Sequence, residues 1–487
     1  MERVDASLPL LAAMEAYRSE GVLPFHTPGH KYGRGMHPAL AKLFTAEALA
    51  MDVSLMQELD DLFSPDGCIK LAQERAARVY GAAQTFFVVN GTTAAIHAML
   101  LAAVRPGGKV LVARNAHRAV LGGLILAGAE PVFVATQADE ALGIAGQVLP
   151  ATIEAALVAH PDVQAVLVTT PNYYGCACDL AAIVRVAHAR GIPVLVDEAH
   201  GPHLGFDGRL PASALAQGAD LAAQSTHKLL GALTQASVLH VNKQSLIAGG
   251  RVAAALAVLQ TTSPNYWLLA SLDAAIAQLE AQGAALIGGA VTLAETIRQR
   301  INRLAGLFCF GAERAGTAGV CSVDLCKLTV TVAGLGLTGV EAERILRRQS
   351  RFQVELVDQN NVLLLITHGD GPDVAAAVET AFVQLAAQRR PQGLRPALSA
   401  APQQTQLAML PRDAFFAGKR CVPVREAAGR IAAEPVTFYP PGVPVLLPGE
   451  RISPAILEWC LAARALGLYL SGPQDGRFET IQVVDEG

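Results

Sequence analysis

Residues 163–197 read VQAVLVTTPNYYGCACDLAAIVRVAHARGIPVLVD, and they give the clearest indication of the architecture. The apolar run at 163–169 predicts a strand, residues 179–190 predict a helix, and 192–197 form a second apolar run that ends in Asp197. Short apolar runs joined by a helix are typical of a βαβ unit, whose strands lie parallel and buried. We therefore expect an α/β protein with a mostly parallel sheet.

The same alternation continues on both sides of this unit. Further apolar runs predict strands at 85–89, 109–113, 131–135 and 220–225, and the stretches beside them predict helices at 8–20, 70–80, 92–103 and 117–127. Beyond residue 261 the pattern changes to a long helix at 266–305, strands at 327–333 and 362–366, and a helix at 339–349. This second pattern indicates a smaller α+β domain.

The chain divides into five predicted segments. They are an N-terminal segment (1–69), a large domain (70–260), a small α+β domain (261–388), a linker (389–404) and a C-terminal domain (405–487). The linker begins Arg389-Arg390-Pro391-Gln392-Gly393, and its proline and glycine content favours an extended connection. In the C-terminal domain we expect helices near 423–431 and 453–465.

Length and composition limit the possible functions. The chain has 487 residues, of which 52% are hydrophobic and 16% charged, and its net charge is −4. This composition suits a large core and an extensive subunit interface, and the lack of a basic block argues against a nucleic-acid partner. The first residues show no signal pattern, and apolar runs such as 119–129 reach about half of the ~20 residues that span a bilayer. We therefore expect a cytoplasmic protein without a membrane partner.

The placement of cysteine and histidine argues against a metal site. Eight cysteines are scattered, and only Cys176 and Cys178 lie close together, with no second pair at zinc-site spacing. His200 and His203 lie near two acids, but the glycine and proline between them disfavour a helix that presents both rings to one ion. We expect reduced cysteines and no metal.

A lysine and an acid carry the strongest chemical signal. Asp197 ends a buried strand, and Lys228 follows in the segment Ala223-Gln224-Ser225-Thr226-His227-Lys228. Pyridoxal 5′-phosphate (PLP) requires a lysine amine for its aldehyde, a carboxylate for its ring nitrogen, and polar groups for its phosphate. Alone, each residue would suit a solvated lysine or a helix cap. Together they predict a PLP site, in which Asp197 keeps the ring nitrogen protonated.

Two further motifs follow predicted strands. Asn90-Gly91-Thr92-Thr93 opens a helix, where the glycine lets backbone approach an anion and the helix N-terminus adds positive potential. An ordinary N-cap would use the same residues, but a phosphate group needs such a cradle at this edge of the sheet. His117 lies in Arg114-Asn115-Ala116-His117 and is a candidate to stack on a pyridine ring, with a solvent-facing histidine as the alternative.

Two other motif matches are weaker. Asp197-Glu198-Ala199-His200 matches the DEAH box of helicases, but no G-x-x-x-x-G-K-[ST] loop accompanies it. Residues 334–339 match the dinucleotide-binding pattern G-x-G-x-x-G. They lie after the main sheet, so we interpret them as a turn in which Thr338 caps the next helix.

These motifs, in this order, resemble the Orn/Lys/Arg decarboxylase family of PLP fold-type I enzymes, in its short form without a wing domain before the PLP region. The resemblance covers nearly the whole chain. Its other motifs lie at 26–31, 170–175, 261–264, 439–444 and 448–450. It implies an aspartate aminotransferase-like large domain with a mostly parallel sheet, a smaller α+β domain and a C-terminal domain.

The resemblance also implies a role for individual residues. Lys228 would carry PLP, Asp197 would bind the ring nitrogen, His117 would stack on the ring, and His200 would lie near the ring or the substrate. The residues implied for the phosphate are Gly91, Thr92, Thr93, Ser225 and His227, with Ser263 from a neighbouring subunit. Glu450 would lie near the substrate entrance. Because the family's sites form between two subunits, the resemblance implies a homodimer or a higher even-numbered oligomer.

The implied reaction is decarboxylation of arginine, lysine or ornithine to the corresponding amine, in polyamine-related metabolism. Resemblance to short-form members favours arginine. Lys228 is the candidate proton donor to Cα, and Glu450 and the segment 58–61 are candidates for binding the distal cation of the substrate. The alternatives are an aminotransferase, which needs an arginine clamp on the α-carboxylate, and a catalytically silent homologue with a regulatory role.

Overall fold

The fold is described by a computed structural model that covers residues 7–390, 401–403, 406–439 and 442–486. Most of the predicted linker, at 391–400 and 404, lies outside the described residues, as do Pro440 and Pro441. The five-segment division of the chain therefore stays a prediction.

The first half of the chain builds four N-terminal helices and a large α/β unit. The helices are α1 (Pro9–Ser19), α2 (Pro38–Ala41), α3 (Ala46–Ala50), α4 (Cys68–Tyr80), α5 (Gly91–Ala103), α6 (Arg118–Ala127), α7 (Pro150–Ala159), α8 (Leu180–His188), α9 (Thr226–Leu229) and α10 (Gly249–Leu259). The strands are β1 (Gln84–Val88), β2 (Lys109–Ala113), β3 (Glu130–Val134), β4 (Ala138–Asp139), β5 (Ile144–Ala145), β6 (Val163–Thr169), β7 (Cys176–Ala177), β8 (Val194–Asp197), β9 (Leu221–Gln224) and β10 (Ser237–Val241).

Seven of these strands form the central sheet, in the order β1-β10-β9-β8-β6-β2-β3. β10 is antiparallel to both of its neighbours, and the pairs from β9 to β3 are parallel. Helices α5, α6 and α10 cover one face and α7 and α8 cover the other, which explains the continuous apolar runs. Because Asp197 on β8 lies opposite Ala223 on β9, the acid and the segment that holds Lys228 meet at one edge.

The second part of the chain begins with a long helix and a smaller antiparallel sheet. Its helices are α11 (Tyr266–Ile301), α12 (Gly339–Ile345) and α13 (Asp373–Ala386), and its strands are β11 (Phe308–Cys309), β12 (Ser322–Val323), β13 (Lys327–Thr331), β14 (Leu356–Val357) and β15 (Asn361–Leu365). The sheet order is β11-β13-β15-β14. Thr338 caps α12 in a capping box with Glu341, which confirms the turn interpretation of 334–339.

One described helix, α11, is long and apolar enough to cross a membrane by length and composition. It packs against α1, α4 and α13. Near its start, Asp273 is buried and its Oδ1 lies 3.0 Å from Nη1 of Arg75 on α4. Because α11 carries a buried ion pair and packs against three other helices, it has the features of a core helix.

The C-terminal part contains short strands and two helices. They are β16 (Gln406–Leu407), α14 (Pro411–Phe416), β17 (Lys419–Pro423), β18 (Val436–Tyr439), β19 (Pro444–Leu446), β20 (Glu450–Arg451), α15 (Pro454–Ala465), β21 (Tyr469–Ser471) and β22 (Thr480–Val484). The helix predicted near 453–465 is confirmed as α15. The helix predicted near 423–431 is wrong, because this region follows β17, which pairs with β22, and contains only one 3-10 turn at Val424–Glu426.

Candidate active site

A cavity of about 440 Å³ opens at the carboxyl edge of the central sheet. The structure brings nine of the predicted site residues to its wall: Gly91, Thr92, Thr93, His117, Asp197, His200, Ser225, His227 and Lys228. They come from the ends of different strands and the starts of the helices that follow. This convergence is expected of parallel strands, whose carboxyl ends share one edge of the sheet.

Asp197 lies at the inner end of the cavity as the last residue of β8. Its side chain is 2% exposed, and its Oδ1 accepts a hydrogen bond of 3.1 Å from the Ala199 N–H. Burial raises the pKa of this carboxyl, whereas the nearby charge of Lys228 and the Ala199 bond lower it. A buried acid of this kind favours a cationic partner inside the cavity.

Lys228 lies on the short helix α9, directly after β9. Its Nζ lies 3.0 Å from Nε2 of His200 and 5.3 Å from the ring centroid of Tyr173. Burial lowers the pKa of the Lys228 amine, and Asp197 opposes that shift. The amine therefore loses its proton more readily than a solvated lysine, which favours its reaction with an aldehyde.

His200 is fully buried and has a second lysine on its other side. Its Nδ1 lies 2.8 Å from Nζ of Lys327, and its ring centroid lies 4.4 Å from that of Tyr173. Lys327 is the first residue of β13 and is 0% exposed, and burial lowers the pKa of its amine to about 8. The sequence analysis did not single out Lys327. The available signal was a lysine within the otherwise uncharged run 325–334.

Hydroxyl groups and a helix N-terminus form a polar cradle on another wall. Thr92 Oγ1 lies 2.5 Å from Ser225 Oγ and 3.0 Å from Ser237 Oγ. Gly91 begins α5 with φ +73°, and a Cβ there would meet no atom closer than 4.0 Å, which leaves room for an anion. His227 lies beside this cradle and donates from Nδ1 to the Ala236 carbonyl at 2.8 Å.

The ring of His117 faces the cavity and not open solvent, and its stacking on a pyridine ring stays a prediction. His117 caps α6, with Nδ1 accepting a hydrogen bond of 3.2 Å from the Ala119 N–H, and its ring also lines the cavity. Burial lowers its pKa to about 4, and the charge of Lys228 adds to the shift. The ring is therefore neutral near pH 7, with its proton on Nε2.

Three other candidates lie away from this cavity in the single chain. Glu450 is fully buried, with Oε2 accepting at 3.1 Å from Arg114 and at 2.8 Å from the Leu447 N–H. Asp60 accepts four hydrogen bonds from the backbone around the start of α4, at 66, 67, 69 and 70. Ser263 is exposed. Their predicted contacts with substrate or phosphate remain predictions.

A second cavity of about 190 Å³ adjoins the first and shares Asn115, Ala145, Tyr174 and Val443 with it. Its wall includes one acid, Asp358, whose Oδ2 accepts a hydrogen bond of 3.0 Å from the Tyr174 hydroxyl. Phe438 and Trp459 also line it, with their rings edge to face at 5.3 Å. Aromatic faces can stack on a planar cation, but the wall also includes the guanidinium of Arg114, which is bonded to Glu450.

His200 and His203 have separate partners. His203 Nε2 lies 3.1 Å from Asp324 Oδ1, and Cys326 lies close enough for the three side chains to come within 4.8 Å of one another. Lys327 adjoins this group in sequence and interacts electrostatically with Asp324. Its positive charge disfavours a metal cation there.

Comparisons with known proteins identify the family of this chain. The family profile "Orn/Lys/Arg decarboxylase, major domain" matches residues 8–318, and "Orn/Lys/Arg decarboxylase, C-terminal domain" matches 396–472. A protein named arginine decarboxylase from Halalkalibacterium halodurans is 42% identical over 481 residues, covering 98% of both chains. Another of that name, from Bacillus subtilis, is 40% identical over 480 residues, again covering 98% of both.

Solved structures share the fold. Lysine decarboxylase LdcF from Francisella novicida has a TM-score of 0.84 at 21% identity, covering 98% of this chain and 81% of its own. The constitutive lysine decarboxylase of E. coli has a TM-score of 0.84 at 22% identity, covering 99% of this chain and 82% of its own. These similarities confirm the predicted fold class.

Proposed function

The chain belongs to the Orn/Lys/Arg decarboxylase family and is an amino-acid decarboxylase, and we propose that it decarboxylates arginine with PLP as its cofactor. Basic amino acids are the substrate class that its relatives support. The choice of arginine rests on one observation: relatives of this name match 98% of the chain at 40–42% identity. PLP, the individual site residues and the oligomeric state are parts of the same proposal.

The residues of the cavity fit PLP. Asp197 is a buried acid for the ring nitrogen, and Lys228 is a partly accessible amine for the aldehyde. The cradle of Gly91, Thr92 and Ser225 has hydroxyl groups and a helix N-terminus for a phosphate. When bound, PLP supplies an electron-accepting ring for the pair left by the departing carboxylate.

The protein groups around the reacting carbon suit loss of CO2. Among the described residues, no arginine lines the 440 Å³ cavity, so the α-carboxylate meets no guanidinium that would stabilise it before the reaction. An aminotransferase needs such a clamp, and the small-domain candidates Arg344, Arg347 and Arg348 are exposed. Lys228, whose amine would hold the aldehyde of PLP, would be the group in the cavity that returns a proton to Cα.

Arginine has a long side chain, and the adjoining cavity offers space for its guanidinium. The wall of that cavity includes the aromatic rings of Phe438 and Trp459, the carboxylate of Asp358 and the guanidinium of Arg114. Asp358 already accepts hydrogen bonds from Tyr174, Asn360 and Asn361, and Arg114 is bonded to Glu450. The aromatic faces are therefore the groups available to stack on a planar guanidinium.

We also propose a homodimer or a higher even-numbered oligomer in the cytoplasm, with a role in polyamine-related metabolism. Large apolar side chains are exposed in the N-terminal part of the single chain: Leu23, Phe25, Leu43 and Phe44. Such a patch marks an interaction surface. Exposed Ser263 is available to a second subunit, as its implied phosphate contact requires.

A substrate panel tests this function. Purified protein loaded with PLP is given arginine, lysine or ornithine, and CO2, the amine and any keto acid are measured. We expect CO2 and the amine from arginine, with kcat/KM at least about tenfold above that for the other two, a difference of about 1.4 kcal/mol. Lysine as the preferred substrate would refute arginine, and keto acid in place of CO2 would refute decarboxylation.

Lys228→Ala serves as the inactive reference in that panel. We expect it to lose the covalent PLP adduct after borohydride reduction, seen by mass spectrometry, and at least about 10²-fold in activity. Lys243→Ala, on an exposed lysine, should keep both. An intact adduct in Lys228→Ala would contradict the cofactor assignment.

A further inference from the structure

His200 lies between the amines of two lysines. Its Nε2 is 3.0 Å from Lys228 Nζ, and its Nδ1 is 2.8 Å from Lys327 Nζ. His200 and Lys327 are buried, so the contact between these two side chains is shielded from water. We call these three side chains the Lys–His–Lys chain. It connects a residue of the small antiparallel sheet to the amine in the cavity.

The hydrogen bonds of the Lys–His–Lys chain limit which of its nitrogens can carry a proton. Burial holds the pKa of His200 well below its ordinary value, and the charges of both lysines add to the effect, so the ring is neutral. A neutral imidazole has one N–H donor and one acceptor nitrogen, whereas an ammonium group only donates. The lysine beside the N–H nitrogen must therefore accept as a neutral amine, and the lysine beside the other nitrogen must donate. When the two lysines share one extra proton, the donating lysine is the ammonium.

Charged groups around the Lys–His–Lys chain stabilise an ammonium group on either lysine. Asp197 and Glu355 act on Lys228, and Asp324 and Glu355 act on Lys327. The other titratable groups that face the Lys–His–Lys chain are His117 and His203, which act on His200, Cys326, which acts on Lys327, and Tyr173, whose ring lies against His200 and Lys228. With an acid near each amine, the proton can reside at either lysine without leaving a buried charge unpaired.

We propose that Lys327 is a positioning residue that passes a proton to Lys228 through His200. In this transfer the N–H bond of Lys327 breaks as a bond to His200 Nδ1 forms, and the Nε2–H bond breaks as a bond to Lys228 Nζ forms. Lys327 ends as a neutral amine, Lys228 as an ammonium, and His200 as its other neutral tautomer. No electrons are exchanged.

The proposed decarboxylation consumes the proton that this transfer delivers. Decarboxylation replaces the bond from Cα to the carboxylate with a C–H bond, so each turnover consumes one proton, which comes from solvent in the end. Lys228 must be an ammonium to protonate Cα, and Lys327 can supply that proton through His200 without opening the cavity to water. The role of this proton in catalysis rests on the proposed function, whereas the sharing of one proton between Lys228 and Lys327 does not.

The protonation of Lys228 can be measured without cofactor or substrate. Competitive acylation of the apo-protein with isotopic acetic anhydride, read by mass spectrometry, gives the pH midpoint at which Lys228 becomes reactive. We expect Lys327→Met to raise this midpoint by on the order of one pH unit, because a nearby like charge is removed. Lys243→Met, on an exposed lysine, is the matched control and should leave it unchanged. An unchanged midpoint in Lys327→Met would overturn the proposal.

The PLP-loaded enzyme gives an independent readout. We expect Lys327→Met to lower kcat about tenfold or more, with KM within about twofold, and to increase the solvent deuterium isotope effect on kcat, since proton delivery becomes slower. Loss of packing alone would not change the isotope effect. A normal kcat, or an isotope effect equal to that of the Lys243→Met control, would count against the relay.

His200→Gln keeps the proposal testable if Lys327→Met does not fold, because glutamine keeps a donor and an acceptor but cannot move a proton from one to the other. We expect His200→Gln alone to lower kcat and to increase the solvent deuterium isotope effect on kcat. Where Lys327→Met folds, we expect the double variant Lys327→Met/His200→Gln to lose no more kcat than His200→Gln alone, because both changes break one path. Independent, additive losses, or a normal kcat in His200→Gln, would contradict the relay. If none of the three basic amino acids is decarboxylated, the proposed function fails, while the acylation midpoints still decide whether the proton is shared.

Discussion

Asp197 and Glu198 are adjacent in sequence and both buried, yet they serve different sites. Glu198 accepts hydrogen bonds from the Ala214 N–H at 2.8 Å and from Gln224 Nε2 at 2.7 Å, and burial raises its pKa to about 8. Asp197 points into the cavity instead. Consecutive residues at a strand end face opposite sides of the sheet, so one acid stabilises the fold and the other is available to a ligand.

Asp197→Asn should separate cofactor binding from turnover. The amide keeps the shape but removes the charge that favours a protonated ring nitrogen, an effect of about 1–3 pKa units or 1.4–4 kcal/mol. We expect kcat to fall by about 10–10³-fold while the variant still binds PLP, measured by steady-state kinetics and absorbance of bound cofactor. Asp162→Asn, on an exposed residue, is the control. A kcat within twofold of the wild type would refute the role of Asp197.

At the scale of elements, one histidine on the antiparallel strand β10 adds side-chain hydrogen bonds to both neighbouring strands. His240 Nδ1 lies 2.8 Å from Thr85 Oγ1 on β1, and its Nε2 lies 3.1 Å from Gln224 Oε1 on β9. Burial lowers the pKa of His240 to about 3. The ring is therefore neutral in the folded protein over a range in which the unfolded chain would protonate it.

The stability of this strand should depend on pH. The ordinary pKa of histidine is about 6.5, so between pH 6.5 and 3 the unfolded state binds the extra proton, and stability falls as the pH falls. His240→Gln lacks this dependence. We expect the stability advantage of the wild type to shrink by up to about 1.4 kcal/mol per pH unit below pH 6.5, measured by thermal unfolding of both proteins from pH 7.5 to 5. A constant difference across that range would contradict this assignment.

The predicted elements of the parallel sheet agree with the structure to within about two residues, and the C-terminal part agrees less well. Strand 163–169 was predicted with its observed ends, because an apolar run buried on both faces has an unmistakable composition. The helix expected near 423–431 failed because Lys419–Pro423 pairs with Thr480–Val484, a partner distant in sequence. The composition of a local segment does not predict which distant strand it pairs with.

At the scale of the whole molecule, apolar exposure is concentrated in residues 22–55. Phe25 is 93% exposed, and Leu23, Leu43 and Phe44 are more than half exposed. Apolar side chains on one continuous segment are costly in water, so we expect a second copy of the chain to cover them.

Phe25→Glu should therefore weaken the oligomer. A charge placed in an apolar interface is disfavoured unless it is paired, so we expect a lower mass in sedimentation velocity and weaker PLP binding. Val158→Glu changes an exposed apolar residue on α7, outside this segment, and should leave the mass unchanged. If wild type and Phe25→Glu sediment with the same mass, the segment is not the interface.

The sequence alone determined the fold class, the family and nine residues of one cavity, because buried strands and the loops after them carry their signal locally. The tertiary structure decided which side chains, distant in sequence, contact one another. It buried Glu450 against Arg114, and it placed Lys327 beside His200 across 127 positions of sequence. Such contacts depend on how two sheets pack together, and no local pattern of residues encodes that packing.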